Sequence, residues 1–195
     1  MITDQGVAYQ KDMSYPVSYD ESYFNKCLSY EDQEIALKIN LGRINLVKRY
    51  HEGWVLDIGI GSGEFIKKRP FTMGYDINPT AVRWLKSNCL YSDRIDLYNA
   101  FTLWDVIEHI PEPSHYFRMM PSTSFLFTSI PLFKDLTMIR ESKHYRPNEH
   151  LYYFTEEGFK YWMRQHGFCL LEMDDFETDA GREEIYSFAF IKAHG

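Results

Sequence analysis

The chain has little cysteine: three residues in 195, Cys27, Cys89 and Cys169, widely spaced and without a CxxC pair. An odd, scattered set gives neither a disulfide framework nor a zinc-ligand spacing, so free thiols in a reducing, cytoplasmic setting are expected. No apolar run approaches the length needed to cross a bilayer, and Met1 to Gln10 has neither the basic start nor the apolar centre of a signal peptide. Basic charge is not in excess either. Twenty-one Lys and Arg against 28 Asp and Glu leave a net charge of −7, which removes the footprint of non-specific nucleic-acid binding. Repeats and low-complexity tracts are missing, and the length suits one domain with a real core.

What is present is glycine at one place. Trp54 to Phe65 reads WVLDIGIGSGEF, an apolar run followed by Gly59, Gly61 and Gly63. The run suits a buried parallel strand, and the glycines suit a turn into a helix that lets a ligand approach the backbone. A second apolar run, Phe71 to Tyr75, ends at Asp76, 19 residues after Asp57. That is close to the spacing of a ribose-binding acid behind a nucleotide-binding glycine turn. The GxGxxG register of dinucleotide sites would need glycine at position 64, where the chain has Glu64. Asp57 and Glu64 near the turn would repel a pyrophosphate and attract a cation. S-adenosylmethionine, with its sulfonium and ammonium, meets that condition.

Along the rest of the chain, helical spacing of Ile35, Ile39, Leu46, Val47 and Tyr50 predicts a helix over 30–50. Asn78 and Pro79 form a cap and a first-turn proline for a helix ending near Asn88. Only Leu90 to Asn99 separates it from a strand at Ala100 to Trp104, so an intervening strand is short or absent. A short helix or turn at Pro111 to Met120, a strand at Ser124 to Ser129 and a long connection over Ile130 to Phe154 follow. Thr155 opens a helix that Gly167 stops, and strands at Phe168 to Met173 and Ile185 to Ile191 end the pattern. Residues 1–28 form an arm rich in aromatic side chains, Tyr15, Tyr19, Tyr23 and Phe24, ahead of a main domain at 29–195.

The ordered set VLDIGIGSGEF, GYDINP and FTLWDVIEHIPEP (Phe101 to Pro113) resembles the class I S-adenosylmethionine-dependent methyltransferases over about residues 50–192. It is most similar to the small-molecule branch with an EH pair after the fourth strand. The resemblance implies an α/β, Rossmann-like three-layer sandwich, with a mostly parallel sheet and an antiparallel last strand. It implies S-adenosylmethionine as cofactor and S-adenosylhomocysteine as product. Asp57, Ile58, Gly59, Gly61, Ser62 and Gly63 would then hold the methionine moiety, Asp76 and Ile77 the ribose side, and Asp105 and Val106 the flank of the cofactor. The arm at 1–28 would act as a lid. The adenine-contacting acid has no clear counterpart: Asp93 and Asp96 fit solvated turn positions better. The NPPY-like motif of DNA amino-methyltransferases and the ProCys nucleophile of cytosine-C5 enzymes are both missing.

Methyl transfer from a sulfonium mainly requires alignment of nucleophile, methyl and sulfur. A hydroxyl acceptor would also profit from a base, and His109 and His150 are the catalytic candidates. The alternative at both positions is a bracing role, for Glu108 with His109 and for His150 in the loop KHYRPNEHLYYFT. Asp105, Glu108, His109 and His150 carry the donor types of a metal site, but their spacing is not diagnostic and no metal is expected. Trp104, Tyr145, Tyr152, Tyr153 and Phe154 are aromatic candidates for an acceptor pocket or a cage around the sulfonium, with ordinary packing expected for most. The expected acceptor is a small molecule, methylated at oxygen. A protein or RNA methyltransferase and a non-catalytic cofactor-binding protein are the alternatives. No membrane or nucleic-acid partner is expected, and nothing indicates the oligomeric state.

Overall fold

The computed structural model describes residues 1–12, 19–29 and 34–193. Tyr15 of the arm and the expected helix start at Tyr30 lie outside the described residues. In chain order the elements are β1 (Val7–Tyr9), α1 (Glu21–Leu28), α2 (Glu34–Tyr50), β2 (Val55–Ile58), α3 (Glu64–Lys68), β3 (Thr72–Tyr75) and α4 (Pro79–Ser87). Then come β4 (Ala100–Trp104), α5 (Pro113–Met119), β5 (Phe125–Pro131), β6 (Tyr152–Phe154), α6 (Glu156–Gln165), β7 (Phe168–Asp174), α7 (Phe176–Asp179) and β8 (Ile185–Lys192).

Six strands form one sheet in the order β3-β2-β4-β5-β8-β7. β3, β2, β4 and β5 are parallel, whereas β8 is antiparallel to both β5 and β7, so β8 alone is reversed. This is the expected mostly parallel sheet with an antiparallel last strand. The strand expected to be short or absent survives as a single parallel bridge between Gly74 and Tyr91.

Period-two alternation divides the core between the faces. Leu56, Ile58, Phe101, Leu103, Leu126, Phe188 and Phe190 join one buried cluster with Phe117 of α5 and with Phe159 and Met163 of α6. Val55, Ala100, Trp104, Phe127 and Ala189 join the other with Leu46 and Val47 of α2 and Phe65 of α3. The sheet is therefore sandwiched between helical layers. Of the predicted α2 stripe, Ile39, Leu46 and Val47 are buried, but Ile35 is 45% exposed. Trp54, read as the start of β2, is outside the strand, half exposed and edge-on to Phe71.

The connection expected over Ile130 to Phe154 is not plain loop. It contains a 3₁₀ turn at Leu136–Glu141 and β6, which pairs antiparallel with β1. Three-residue strands paired across more than 140 positions leave no periodic signal, so only the folded chain reveals them. Thr155 caps α6 by accepting from Gly158 N at 3.0 Å, while its own N–H donates to Gly6 O at 2.9 Å. Gly158 packs directly under that carbonyl: a Cβ there would lie 1.9 Å from Gly6 O. Gly158→Ala is expected to destabilise the protein by about 1–3 kcal/mol through this overlap with backbone. A urea midpoint unchanged from wild type would show that β1 does not dock on α6 in this way.

Candidate functional site

The strand order brings the carboxyl ends of β3, β2 and β4 side by side, the edge at which open α/β sheets bind ligands. A cavity of about 400 Å³ lies there. Gly59, Gly61 and Gly63 all have positive φ, at 78°, 56° and 81°, a region that only glycine enters without strain. Their reasons differ. A Cβ at Gly59 would meet Val106 Cγ2 at 2.6 Å, and one at Gly63 would meet the Trp84 ring at 2.8 Å. At Gly61 nothing lies within 4 Å, so this glycine fronts open space in the cavity wall. Gly63 does not line the cavity; its small size lets Trp84 pack against the turn.

Three carboxylates from the three strand ends face this cavity. Asp57, 1% exposed, accepts from Thr102 Oγ1 at 2.6 Å. Burial pushes its pKa up to about 7, and the Thr102 bond and Arg43 only partly oppose that shift. Asp76 accepts from Ile60 N at 2.9 Å and from Asn78 N at 2.8 Å, tying the tip of β3 to the glycine turn. Burial raises its pKa too, against those backbone donors.

Asp105 is held differently. Its backbone has φ 56°, and its Oδ2 accepts from Arg43 Nη2 at 2.8 Å and Arg182 Nη1 at 2.9 Å. Burial alone would raise its pKa, but the two guanidiniums hold it below the usual carboxylate range. Glu177, fully buried, completes the network: it accepts from Arg43 Nε at 2.8 Å, from Arg182 and from Ser187 Oγ at 3.2 Å. Arg43 also donates to Ser129 Oγ at 3.1 Å and stands 4.9 Å from the Trp104 ring centre. Two arginines and two carboxylates thus neutralise one another. Asp105 was expected simply to flank the ligand, and it is also the hub of this network. Arg43, Glu177 and Arg182 were not anticipated. Arg43 left a trace, a cation on the α2 face that carries Leu46 and Val47, whereas Glu177 and Arg182 sit in an aperiodic acidic stretch.

Ile58, Ser62, Ile77 and Val106 line the same cavity, as does His109. Contrary to expectation, Glu64 does not add to the negative charge of the turn. Its carboxylate pairs with Lys68 at 3.0 Å and Lys67 at 3.2 Å, so its charge is neutralised locally. Tyr19, Tyr23, Phe24 and Cys27 from the arm form part of the wall, and Asn78 Nδ2 fastens the arm by donating to Asp20 O at 2.8 Å. Of the aromatic candidates only Trp104 lines the cavity. Phe154 packs in the core, the Tyr145 and Tyr153 rings meet at a tilt with centres 5.5 Å apart, and the Tyr152 hydroxyl donates to Pro111 O at 2.9 Å. Neither Asp93 nor Asp96 reaches the cavity, and Asp96 pairs with Arg94 at 2.8 Å.

His150 lies in a neighbouring cavity of about 380 Å³, whose wall shares Tyr23, Asp105, His109 and Arg182 with the first. The His109 and His150 rings meet edge to face with centres 4.7 Å apart. His109 Nδ1 is 2.9 Å from Glu149 O, and since a carbonyl only accepts, Nδ1 carries the proton and Nε2 a lone pair. Nε2 stands 4.0 Å from Glu108 Oε1. Burial lowers the pKa of His109. It takes His150 down to about 3, helped by His109 and Arg146, so both rings are neutral at pH 7. Burial raises the pKa of Glu108, and nearby Asp105 adds to the shift.

A family model described as a methyltransferase domain matches residues 37–173. Solved structures share the fold at low identity. A candidate methyltransferase in complex with the Haloferax volcanii Trm112 methyltransferase activator superposes with TM-score 0.67 at 11% identity, over 90% of this chain and 96% of its own. A SAM-dependent methyltransferase from Archaeoglobus fulgidus gives 0.61 at 16%, over 88% and 100%. The Burkholderia thailandensis 1,6-didemethyltoxoflavin-N1-methyltransferase, solved with its substrate and S-adenosylhomocysteine, gives 0.61 at 12%, over 89% and 84%. No curated protein matches the chain at a significant level.

The arginine–carboxylate network carries a stability expectation. Glu177→Ala leaves two guanidiniums sharing one carboxylate in a dry setting, which should cost about 3–5 kcal/mol in urea unfolding. A loss below about 1 kcal/mol would mean that water or side-chain motion already screens the cluster.

Proposed function

The chain belongs to the methyltransferase-domain family, and on that premise we propose that it transfers a methyl group from S-adenosylmethionine to a small-molecule acceptor, at oxygen. One observation carries the cofactor assignment: Asp57 and Asp76, at neighbouring strand tips, have no arginine or lysine bridge among the described residues. A ligand with an ammonium and a sulfonium relieves that unbalanced charge, whereas a diphosphate aggravates it. The 400 Å³ cavity falls within the roughly 300–1,000 Å³ range of small-ligand sites, and the open space over Gly61 admits close approach to the backbone.

When bound, the cofactor supplies a methyl group on a good neutral leaving group. In this assignment Asp57 and the Gly59–Gly61 turn, with Ile58 and Ser62, hold the amino-acid end. Asp76 accepts from the ribose hydroxyls beside Ile77, while Val106 and the Arg-paired Asp105 form the far wall. Gly63 contributes through the packing of Trp84 on the turn. The arm segment at 19–28 acts as a lid, with Tyr19 and Tyr23 excluding water from the reacting centre, whereas β1 at the start of the arm is held on β6 instead. His109 and His150 act on the acceptor from the adjoining cavity of about 380 Å³. Their lone pairs stay unprotonated near neutral pH, which suits them to orient the acceptor or to bind an electrophile.

Calorimetry with S-adenosylhomocysteine tests the cofactor. One saturable site per chain is expected, and no binding would overturn the assignment. Asp76→Ala should weaken that affinity by roughly 1–3 kcal/mol through lost charge-assisted ribose bonds, whereas an unchanged dissociation constant would remove the ribose role. A pH expectation follows from Asp57. Below its raised pKa of about 7 the carboxyl is protonated, and an ammonium must displace that proton to pair with the carboxylate. Affinity should therefore fall by up to roughly tenfold per pH unit below pH 7, and Asp57→Asn should flatten the profile. A wild-type profile that is already flat would separate Asp57 from the ligand's ammonium.

A further inference from the structure

The sequence spacing of Asp105, Glu108, His109 and His150 has no diagnostic metal pattern. Folding removes the spacing: one donor atom from each of Glu108, His109 and His150 lies within 4.8 Å of the other two. We propose that Glu108, His109 and His150 bind one divalent transition ion of the zinc and manganese class, with its open coordination positions facing the acceptor cavity.

Unsatisfied polarity points to a ligand. Glu108 is 1% exposed and His150 5% exposed, yet Glu108 Oε2 and His150 Nδ1 have no hydrogen-bond partner. Buried polar atoms are nearly always paired, so these two orphans, which share one cavity wall with the unpaired Asp105 Oδ1, mark a missing partner. The charges agree. Among the basic residues of that wall, Lys143 is 2.7 Å from Glu183, Arg146 is 3.1 Å from Glu149 and Arg182 is 2.9 Å from Asp105. Glu108 is the wall carboxylate that has no such bridge among the described residues, and a divalent cation would balance it.

His109 is arranged as a ligand. Its Nδ1–H donates to Glu149 O, which fixes the tautomer and turns the Nε2 lone pair toward Glu108, the support that metal-bound histidines usually receive. Ligands at about 2.1 Å in a tetrahedron stand roughly 3.4 Å apart, so the three donors need only a small side-chain adjustment. Two imidazoles and one carboxylate favour a borderline ion over magnesium, which prefers an oxygen shell. Three protein ligands leave a position for substrate.

Binding of the ion stands on these residues alone, whereas its use rests on the methyl-transfer proposal. An acceptor hydroxyl on the ion would lose its proton to solvent near neutral pH, which makes an imidazole base unnecessary and assigns both histidines to the ion.

The test begins with metal-free protein titrated with Zn²⁺ alone under chelator competition, beside a parallel titration with S-adenosylhomocysteine. One zinc per chain is expected. Glu108→Gln and His150→Gln should each weaken zinc binding by more than roughly tenfold, while S-adenosylhomocysteine affinity and thermal midpoint remain near wild type. Absence of a one-to-one site, or wild-type zinc affinity in both variants, would overturn the proposal. Zinc lost from the variants in a protein that never binds S-adenosylhomocysteine would uphold the metal site and defeat the methyl-transfer reading.

Discussion

Everything in the site depends on how three adjacent strand tips accommodate carboxylates in a place dry enough to disfavour charge. Asp76, Asp57 and Asp105 end or flank β3, β2 and β4, which are neighbours in the sheet. Only Asp105 receives guanidinium partners. Asp57 has a threonine hydroxyl and Asp76 the backbone N–H groups of Ile60, Ile77 and Asn78; these bonds orient the carboxylates without cancelling their charge. The negative charge left on one side of the cavity is the basis for proposing a cationic ligand there rather than a phosphate chain.

The Asp105 network gives the opposite wall its shape. Arg43 joins α2 to the tip of β4, and through Glu177 to the segment between β7 and β8, so the far side of the cavity is tied to three separate stretches of chain. A residue at φ 56° with two arginines on its side chain is overdetermined, and such positions are typical of sites where geometry is imposed at a local cost. In the neighbouring cavity the arrangement is reversed. Glu108 Oε2 and His150 Nδ1 are buried without hydrogen-bond partners.

The parts legible in the sequence were those carried by local chemistry. A short apolar run and flanking glycines located β2, the Asn78 cap and Pro79 located α4, and Thr155 with Gly167 bracketed α6, because each signal lies within a few residues of what it specifies. Asp57, Gly59, Gly61, Asp76 and Val106 meet at one cavity as anticipated, since a strand–turn–helix unit fixes their relation. Gly63 belongs to the packing of Trp84, and the Glu64 charge is cancelled one turn later by Lys67 and Lys68. What was not legible is non-local. The β1–β6 pair, the meeting of Arg43 with Glu177 and Arg182, and the juxtaposition of His150 with Glu108 and His109 each require the finished fold.

We propose that the unneutralised carboxylates at two strand tips receive a nucleoside that carries an ammonium group. A crystal structure of the protein with S-adenosylhomocysteine is the decisive test. Ribose hydroxyls are expected on Asp76 and the ligand's ammonium turned toward Asp57, with the methionine backbone lying over Gly61. A ligand bound elsewhere, or a diphosphate occupying the turn when both ligand types are offered, would contradict it.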